Sequence, residues 1–586
     1  MCGIAGIVEP IGRSGLKERW ETTAERMSHR GPDAKHHLIR EVGQKQILLG
    51  HLRLAIVDLT PGSDQPMVRD QTDMVFNGEI YDFRRWRAVL ESQGQLFQTV
   101  GDSEVLLNAF RSKGNDCFQD FDGMWGVAIL DRCRKRLTLS RDFFGEKPIY
   151  YLHEEGRFAF ASDAMALCRL DGTARALNPA FLRHFILSGY APPDCCVFQG
   201  IKRLEARQVL TLDLETMELS VEDQGPLFRA PVFGAESPFS IDRFHELFVK
   251  SLETRILADV PVGLMLSGGI DSSYVAAAAR QDLDKRLHCL TVRYGQGSDV
   301  ETDRARYVTE TLGLPHQVVE VAEADLENLV EDAIPSMDEP ISDVAYPLLL
   351  RVVGATPEET RVLLTGDGAD ELFLSYPGYR KYLSHLEGGT SRVGKLGPLI
   401  AGTVSRWPEL CRRAWRRAAP LLLPMSASDS LFIDIALETG DWKRARLGDP
   451  GYNAGEQAAL LYEHAYNNSL AEYLLVKSDR ASMWHSKEFR TPFLNRALLE
   501  YVGCSDLNSL PRGSKTPLVA RLNQMLGKDL AFSKRGMFAR GERAFNHLLL
   551  PNLTTFDLPP PRSPQERYRH LVLGKWIEHH CSGQLG

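Results

Sequence analysis

The 586-residue chain contains ten cysteines but no Cys-x-x-Cys pair. Zinc ribbons and dithiol redox centres of the usual spacing are therefore excluded. Cys195 and Cys196 are adjacent, a poor arrangement for one disulfide, and the other cysteines are scattered. A reduced, cytoplasmic chain is the expectation. No stretch approaches the ~18–20 consecutive apolar residues of a membrane span. The N-terminus also lacks the basic region and apolar core of a secretory leader. Positive charge is not in excess: Lys and Arg total 69 against 77 Asp and Glu, a net charge of −8. That balance argues against nucleic-acid binding as the main activity. Internal repeats and low-complexity tracts are absent, which removes solenoids and disordered tails from consideration.

What is present is an ordinary globular composition, 43% hydrophobic and 25% charged, in a chain long enough for two or more domains. Residues 1–210 read as short β runs with helices between them, an α+β layered domain. The runs include 46–59, 73–80, 125–131, 136–142, 148–152 and 157–162, with a helix over Ser103–Phe110. Residues 211–240 are polar and contain Pro and Gly, and are read as a linker. From 241 to 586 the pattern changes. Short apolar runs at 261–266, 287–294 and 361–366 alternate with helices, the signature of a doubly wound parallel sheet. Beyond about 380 the sequence is mostly helical.

Two stretches carry chemistry. The chain opens MCGIAGIV, with Cys2 ahead of an apolar strand. A cysteine acts as a nucleophile as thiolate or beside a base. An N-terminal residue brings its own base, because an α-amine titrates near ~7.7–8.0. While Met1 is attached, the Cys2 nitrogen is an amide, so this chemistry requires Met1 to be removed. In FNGEIYD (76–82) the strand ends at Asn77-Gly78, and an amide side chain with the next backbone N–H can hold an oxyanion. Arg53, in HLRLAIVD, can hold a carboxylate bidentately. Asp102, in GDSE, sits at a helix N-cap where it can hold an ammonium. HRGPD (29–33) is a turn with a cation. The second stretch is LSGGIDSS (266–273), a Ser/Gly turn between a buried strand and a helix that aims N–H groups at an anion. It is not the G-x-x-x-x-G-K-[ST] loop.

With these motifs on the page, the chain resembles the glutamine-hydrolysing asparagine synthetase family. The resemblance implies an N-terminal αββα N-terminal-nucleophile glutaminase sandwich (1–210). It also implies an ATP pyrophosphatase domain (241–586) that forms an amide from a carboxylate. By resemblance Cys2 would attack glutamine, with Asn77 and Gly78 on the oxyanion. Arg53, Leu54, Ala55, Ile56, Val57, Asn77, Gly78, Glu79 and Asp102 would line the glutamine site. Leu266, Ser267, Gly268, Gly269, Asp271, Ser272, Val292, Thr365 and Gly366 would bind ATP. Asp271 and Asp370 would hold Mg²⁺, and Asp367 would lie near the acyl-adenylate. LLVKSDRASMWHSKEFRTPFL (474–494) matches a family signature. Lys534, in FSKRGMF, would steady the transition states, with Lys515 in GSKTPL as the competing lysine.

The resemblance has departures. ISDVAYPLLL follows MDEP (337–340), FLSY (373–376) stands for Phe-Gly-Gly-Tyr, and Asn495 stands where Asp is usual. They put the acceptor in question: aspartate, or another carboxylate such as a uronic acid of a surface polysaccharide. The partners expected are small molecules, with no nucleic acid and with a homodimer left open. The Arg-rich segment around Trp415 (406–425) could lie on an anionic membrane, although a solvated helical insertion is the plainer reading. A ring-forming enzyme on the same scaffold and a non-catalytic binding protein are the rival classes. The intact Cys2 set speaks against both.

Overall fold

The computed structural model describes residues 2–154, 156–190, 194–232, 238–295, 299–322, 325–376, 379, 454–505, 515–530, 550–551, 553, 556, 558–561 and 563–581. Lys534 and the segment 406–425 lie outside the described residues.

Among the described residues, twelve strands fall in the first 223 positions, in chain order: β1 (Gly3–Pro10), β2 (Ala34–Val42), β3 (Lys45–Arg53), β4 (Met67–Arg69), β5 (Thr72–Ile80), β6 (Gly123–Asp131), β7 (Arg136–Arg141), β8 (Tyr150–Glu154), β9 (Arg157–Ala161), β10 (Ile201–Arg203), β11 (Gln208–Asp213) and β12 (Leu219–Asp223). They form two antiparallel sheets of six strands, in the orders β10-β8-β9-β1-β3-β2 and β12-β11-β7-β6-β5-β4. Strand alternation explains the layering, because successive side chains leave opposite faces. Ile4, Val8 and Leu49 from one sheet meet Val75, Ala128 and Leu139 from the other in a fully buried layer. Their neighbours Ala5 and Leu48 point outward, onto Trp20 and Leu167 of the helices Leu16–Arg26 and Ala164–Asp171. On the far side, Phe76 and Val127 pack on Trp86, Leu106 and Phe110 of the helices Phe83–Ser92 and Asp102–Lys113. The result is the expected αββα sandwich.

The sandwich extends past its expected end at 210. β11 and β12 run to Asp223 and close one edge of the second sheet, so the first half of the stretch read as linker is strand. β12 is half to fully exposed, with the polar sequence LSVED, and an exposed edge strand carries little of the apolar signal that marks a buried one.

The second half contains β13 (Val262–Met265), β14 (His288–Tyr294), β15 (His316–Val321), β16 (Val362–Leu364) and β17 (Glu488–Arg490). All neighbours are parallel, in the order β15-β14-β13-β16-β17. Leu363 and Leu364 illustrate the doubly wound packing: the first joins Leu290, Val352 and Phe489 on one face, the second Leu264 and Val275 on the other. The order reverses between β13 and β16, and the crevice beyond the carboxyl ends of such strands is where ligands bind in this architecture. The C-terminal region is helical where described, including a π-helical stretch at Ala465–Leu474 that leads into the helix Leu475–Trp484.

Candidate functional site

Cys2 is buried and immediately precedes β1, an interior strand of the first sheet. Its backbone N–H donates to Asn77 Oδ1 at 2.8 Å. That bond fixes the amide's orientation, and Asn77 Nδ2 is left buried without a hydrogen-bond partner. Orphaned buried donors are rare and costly. This one lies on the same side chain that grips the Cys2 backbone. Asn77 and Gly78 are not at a strand end, as expected from the sequence. β5 continues to Ile80, with Gly78 facing Trp125 on β6. A Cβ at Gly78 would sit 2.0 Å from Met124 O, so the strands approach here as closely as glycine alone permits. Burial pushes the Cys2 thiol above its ordinary value.

A pocket opens beside Cys2, lined by Arg53, Leu54, Ile56, Val57, Gly78, Glu79 and Asp102 among the expected residues. Ala55 and Asn77 are absent from the lining, and the Ala55 N–H donates to Asp33 Oδ2 at 2.8 Å. Arg53, at the end of β3, donates to Asp64 Oδ1 (2.6 Å), Thr60 O (2.8 Å) and Asp58 O, so part of its fork holds the loop that walls the pocket. The N-cap read at Asp102 belongs to Gly101, and Asp102 is the first helical residue. Its Oδ2 reaches across to accept from Ile80 N–H at 2.9 Å. Burial raises the Asp102 carboxyl to about 6. Glu79 is held well above the ordinary range, by burial first and by Asp102 second.

The second group of residues gathers at the reversal point of the parallel sheet. Gly269 caps the helix Ile270–Gln281, and Ser267 N–H donates to Ser272 Oγ at 3.1 Å, curling the loop over the helix start. Gly268 has φ +72°, and a Cβ there would lie 1.9 Å from Glu301 O. The loop after β16 abuts this one: a Cβ on Gly366 would lie 2.8 Å from Asp271 Cβ. Lys515 joins the two loops. Its Nζ lies 2.7 Å from Asp271 Oδ2 and 2.7 Å from Asp370 Oδ1. Asp367 accepts from Thr365 Oγ1 (3.2 Å) and Ser478 Oγ (2.9 Å). Glu371, raised to about 7 by burial and next by Asp370, accepts from Tyr376 OH at 2.9 Å. Val292 lies on the adjacent strand β14, opposite Val319.

Comparison with known proteins agrees with this two-part geometry. The glutamine amidotransferase domain matches residues 1–222, and asparagine synthase matches residues 243–544, more than half of the chain. The chain belongs to the asparagine synthase family. Relatives across the family cover most of its length. A Methanocaldococcus jannaschii protein provisionally named glutamine-hydrolysing asparagine synthetase 2 is 28% identical over 82% of this chain and 98% of its own. Glutamine-hydrolysing asparagine synthetase 3 of Bacillus subtilis is 28% identical over 86% and 80%. The amidase chry2 of Gibberella zeae is 24% identical over 86% and 82%. The chain is thus an asparagine-synthetase-type ligase with an N-terminal glutamine amidotransferase domain, of a family that uses ATP. Among the described residues no helix is long and apolar enough to cross a membrane.

Within this asparagine synthase architecture, several contributors escaped the sequence reading. Glu488, on β17 of the second domain, lines the pocket of the first. Arg490 Nη2 donates to Glu79 Oε2 at 3.1 Å across the domain boundary. Arg30 of HRGPD donates through Nε to Cys2 O at 3.3 Å and pairs bidentately with Asp479 at 2.9 and 3.1 Å. Asp479 and Ser478 are consecutive, so the helix Leu475–Trp484 touches the Cys2 region with one residue and Asp367 with the next. The departures also have contacts. Leu374 has φ +47° where the family motif has glycine, and Ser375 Oγ donates to Asp370 Oδ1. Asn495 caps the helix Arg496–Cys504 and donates to Asp122 Oδ2 at 3.0 Å, a bond an aspartate could not make. A larger cavity of about 510 Å³, lined by Glu205, Arg207, Asp223, Glu463 and Glu472, contains none of the expected site residues.

Proposed function

We propose that the protein transfers the amide nitrogen of glutamine to a carboxylate acceptor at the expense of ATP. Removal of Met1 frees the Cys2 α-amine, which accepts the thiol proton, and the thiolate attacks the glutamine amide carbon. Asn77 Nδ2 and the Gly78 N–H stabilise the tetrahedral oxyanion, each such donor being worth roughly 10²–10³ in rate. Collapse releases ammonia and leaves a thioester, which water hydrolyses to glutamate. Arg53 receives the glutamine α-carboxylate and Asp102 its α-ammonium. In the second domain the acceptor carboxylate attacks the α-phosphorus of ATP and pyrophosphate leaves. Ammonia attacks the resulting acyl-adenylate, giving amide and AMP.

The carboxylates of Asp271 and Asp370 fit a Mg²⁺ site, because both already converge on one cation, the Lys515 ammonium, and both are hard oxygen donors. Bound there, Mg²⁺ would neutralise charge on the phosphates. The 266–272 loop holds the phosphates through backbone N–H groups, Thr365 and Gly366 close the opposite side, and Val292 faces the adenine. Asp367 orients the acceptor carboxylate, and Lys515 and Lys534 are the cations for the developing charge. Aspartate is the acceptor that the names of the relatives point to. The Leu374-Ser375 departure beside Asp370 keeps a sugar acid as the second acceptor to test. Cytoplasmic location completes the reading.

The observation that carries the proposal is the Cys2–Asn77 pair, with its buried donor and adjoining pocket. Cys2→Ala tests it: glutamine-dependent amide formation is expected to vanish while formation from added ammonium survives. Loss of both activities would contradict the division of labour.

A further inference from the structure

Glutamine is a zwitterion, and burying its ammonium requires an ionised carboxylate. The first domain offers Asp102, whose charge is weakened by burial. The second domain reaches into the same pocket. β17 pairs with β16 through Val362↔Glu488 and Leu364↔Arg490, and its central Phe489 faces the sheet core with Leu363 and Val353. The two-residue period therefore sends Glu488 and Arg490 together to the other face, toward the first domain. Arg490 is fully buried and rigidly held: Nη1 donates to Leu257 O (2.6 Å) and Arg255 O (3.1 Å), Nε to Glu488 Oε1 (2.6 Å) and Nη2 to Glu79 Oε2 (3.1 Å). The guanidinium thus stands behind two carboxylates that both line the pocket, and it favours the ionised form of each.

Resting on the glutaminase reading above, we infer that Glu488 of the second domain is a glutamine-binding residue: with Asp102 it forms a two-carboxylate clamp for the substrate α-ammonium. Glu79 and Asp102 both feel the negative charge of Glu488, and an ammonium placed among the three relieves that repulsion. Arg490 positions Glu488 and Glu79 for this. Recognition of glutamine then belongs to both domains, and the amidotransferase pocket is complete when the second domain is docked.

The test compares glutamine with glutaramate, the same molecule without its α-amine, as substrates of the full chain lacking Met1. Wild type is expected to favour glutamine strongly in kcat/KM. Glu488→Gln, which keeps an oxygen toward Arg490 Nε, is expected to raise KM for glutamine about tenfold, the loss of one charge-assisted contact. Its KM for glutaramate should not change, and Glu488→Asp should restore part of the preference. An equal loss on both substrates, or a fall in kcat with the preference intact, would overturn the clamp and reduce Glu488 to support for Arg490. A wild-type chain that releases no glutamate from glutamine would overturn the glutaminase reading, and this inference with it.

Discussion

The two sites are built in opposite ways. Around Cys2 the groups stand on or beside strands and at a helix start, and are held by bonds already made: Cys2 N–H to Asn77, Asp102 to Ile80, Arg490 to Glu79. At the parallel sheet the groups stand on loops beyond strand ends, and a lysine occupies the point where two carboxylates meet. The first site is a rigid mould, which the proposed mechanism completes with the free Cys2 α-amine. The second is an electrostatic arrangement in which an arriving cation and polyphosphate must redistribute charge that is now balanced internally. Substitutions at the first should therefore act on rate with little effect on folding, and those at the second should act on stability and ligand response together.

The sharpest break is Asn77→Ala, which removes the oriented donor. Glutaminase kcat is expected to fall roughly 10²–10³-fold, read as glutamate release, with ammonium-dependent synthesis retained. Next, Lys515→Met leaves Asp271 and Asp370 facing each other without their shared cation. Breaking such a pair costs about 3 kcal/mol, and the thermal midpoint should drop and be partly restored by Mg²⁺; restoration by NaCl alone would remove the case for a divalent site. The pH response separates the sites further. Because the Asp102 carboxyl is raised to about 6, it is ionised above that pH and neutral below it. kcat/KM for glutamine, which already falls below about 8 as the Cys2 α-amine protonates, should steepen by up to a further tenfold per unit as pH drops through 6, and Asp102→Asn should remove that added steepness. The smallest effect is Asn495→Asp. The helix cap survives, but the bond to Asp122 is replaced by repulsion, costing about 1 kcal/mol in denaturant melts.

The same contrast explains what could be read from the chain alone. β1, β5 and β6 are buried strands dense in Ile, Val, Ala and Phe, so their identity and the motifs they carry were legible. So was the Ser/Gly turn, since a strand, two glycines and a helix start leave few alternatives. β17 was not. It is three residues long, two of them charged, and its charged face is buried against the first domain, which no local pattern announces. Glu488 was hidden for that reason, although Glu-x-Arg spacing inside the signature segment puts both charges on one face. β12 was missed because its exposed polar sequence resembles a linker. Leu374 also shows a limit: its left-handed φ costs about 1–2 kcal/mol, yet it is fully buried, and burial of a leucine is worth more than that strain.

In the proposed reaction, nitrogen freed at Cys2 passes inside the molecule to the carboxylate activated in the second domain. Arg30–Asp479 and Ser478–Asp367 bring one helix against both sites. The direct measurement supplies glutamine labelled with ¹⁵N in its amide, ATP, Mg²⁺ and acceptor, together with an excess of unlabelled ammonium. Internal transfer predicts product amide carrying almost entirely ¹⁵N. Product in which the label is diluted to the composition of the bulk ammonium pool would contradict it.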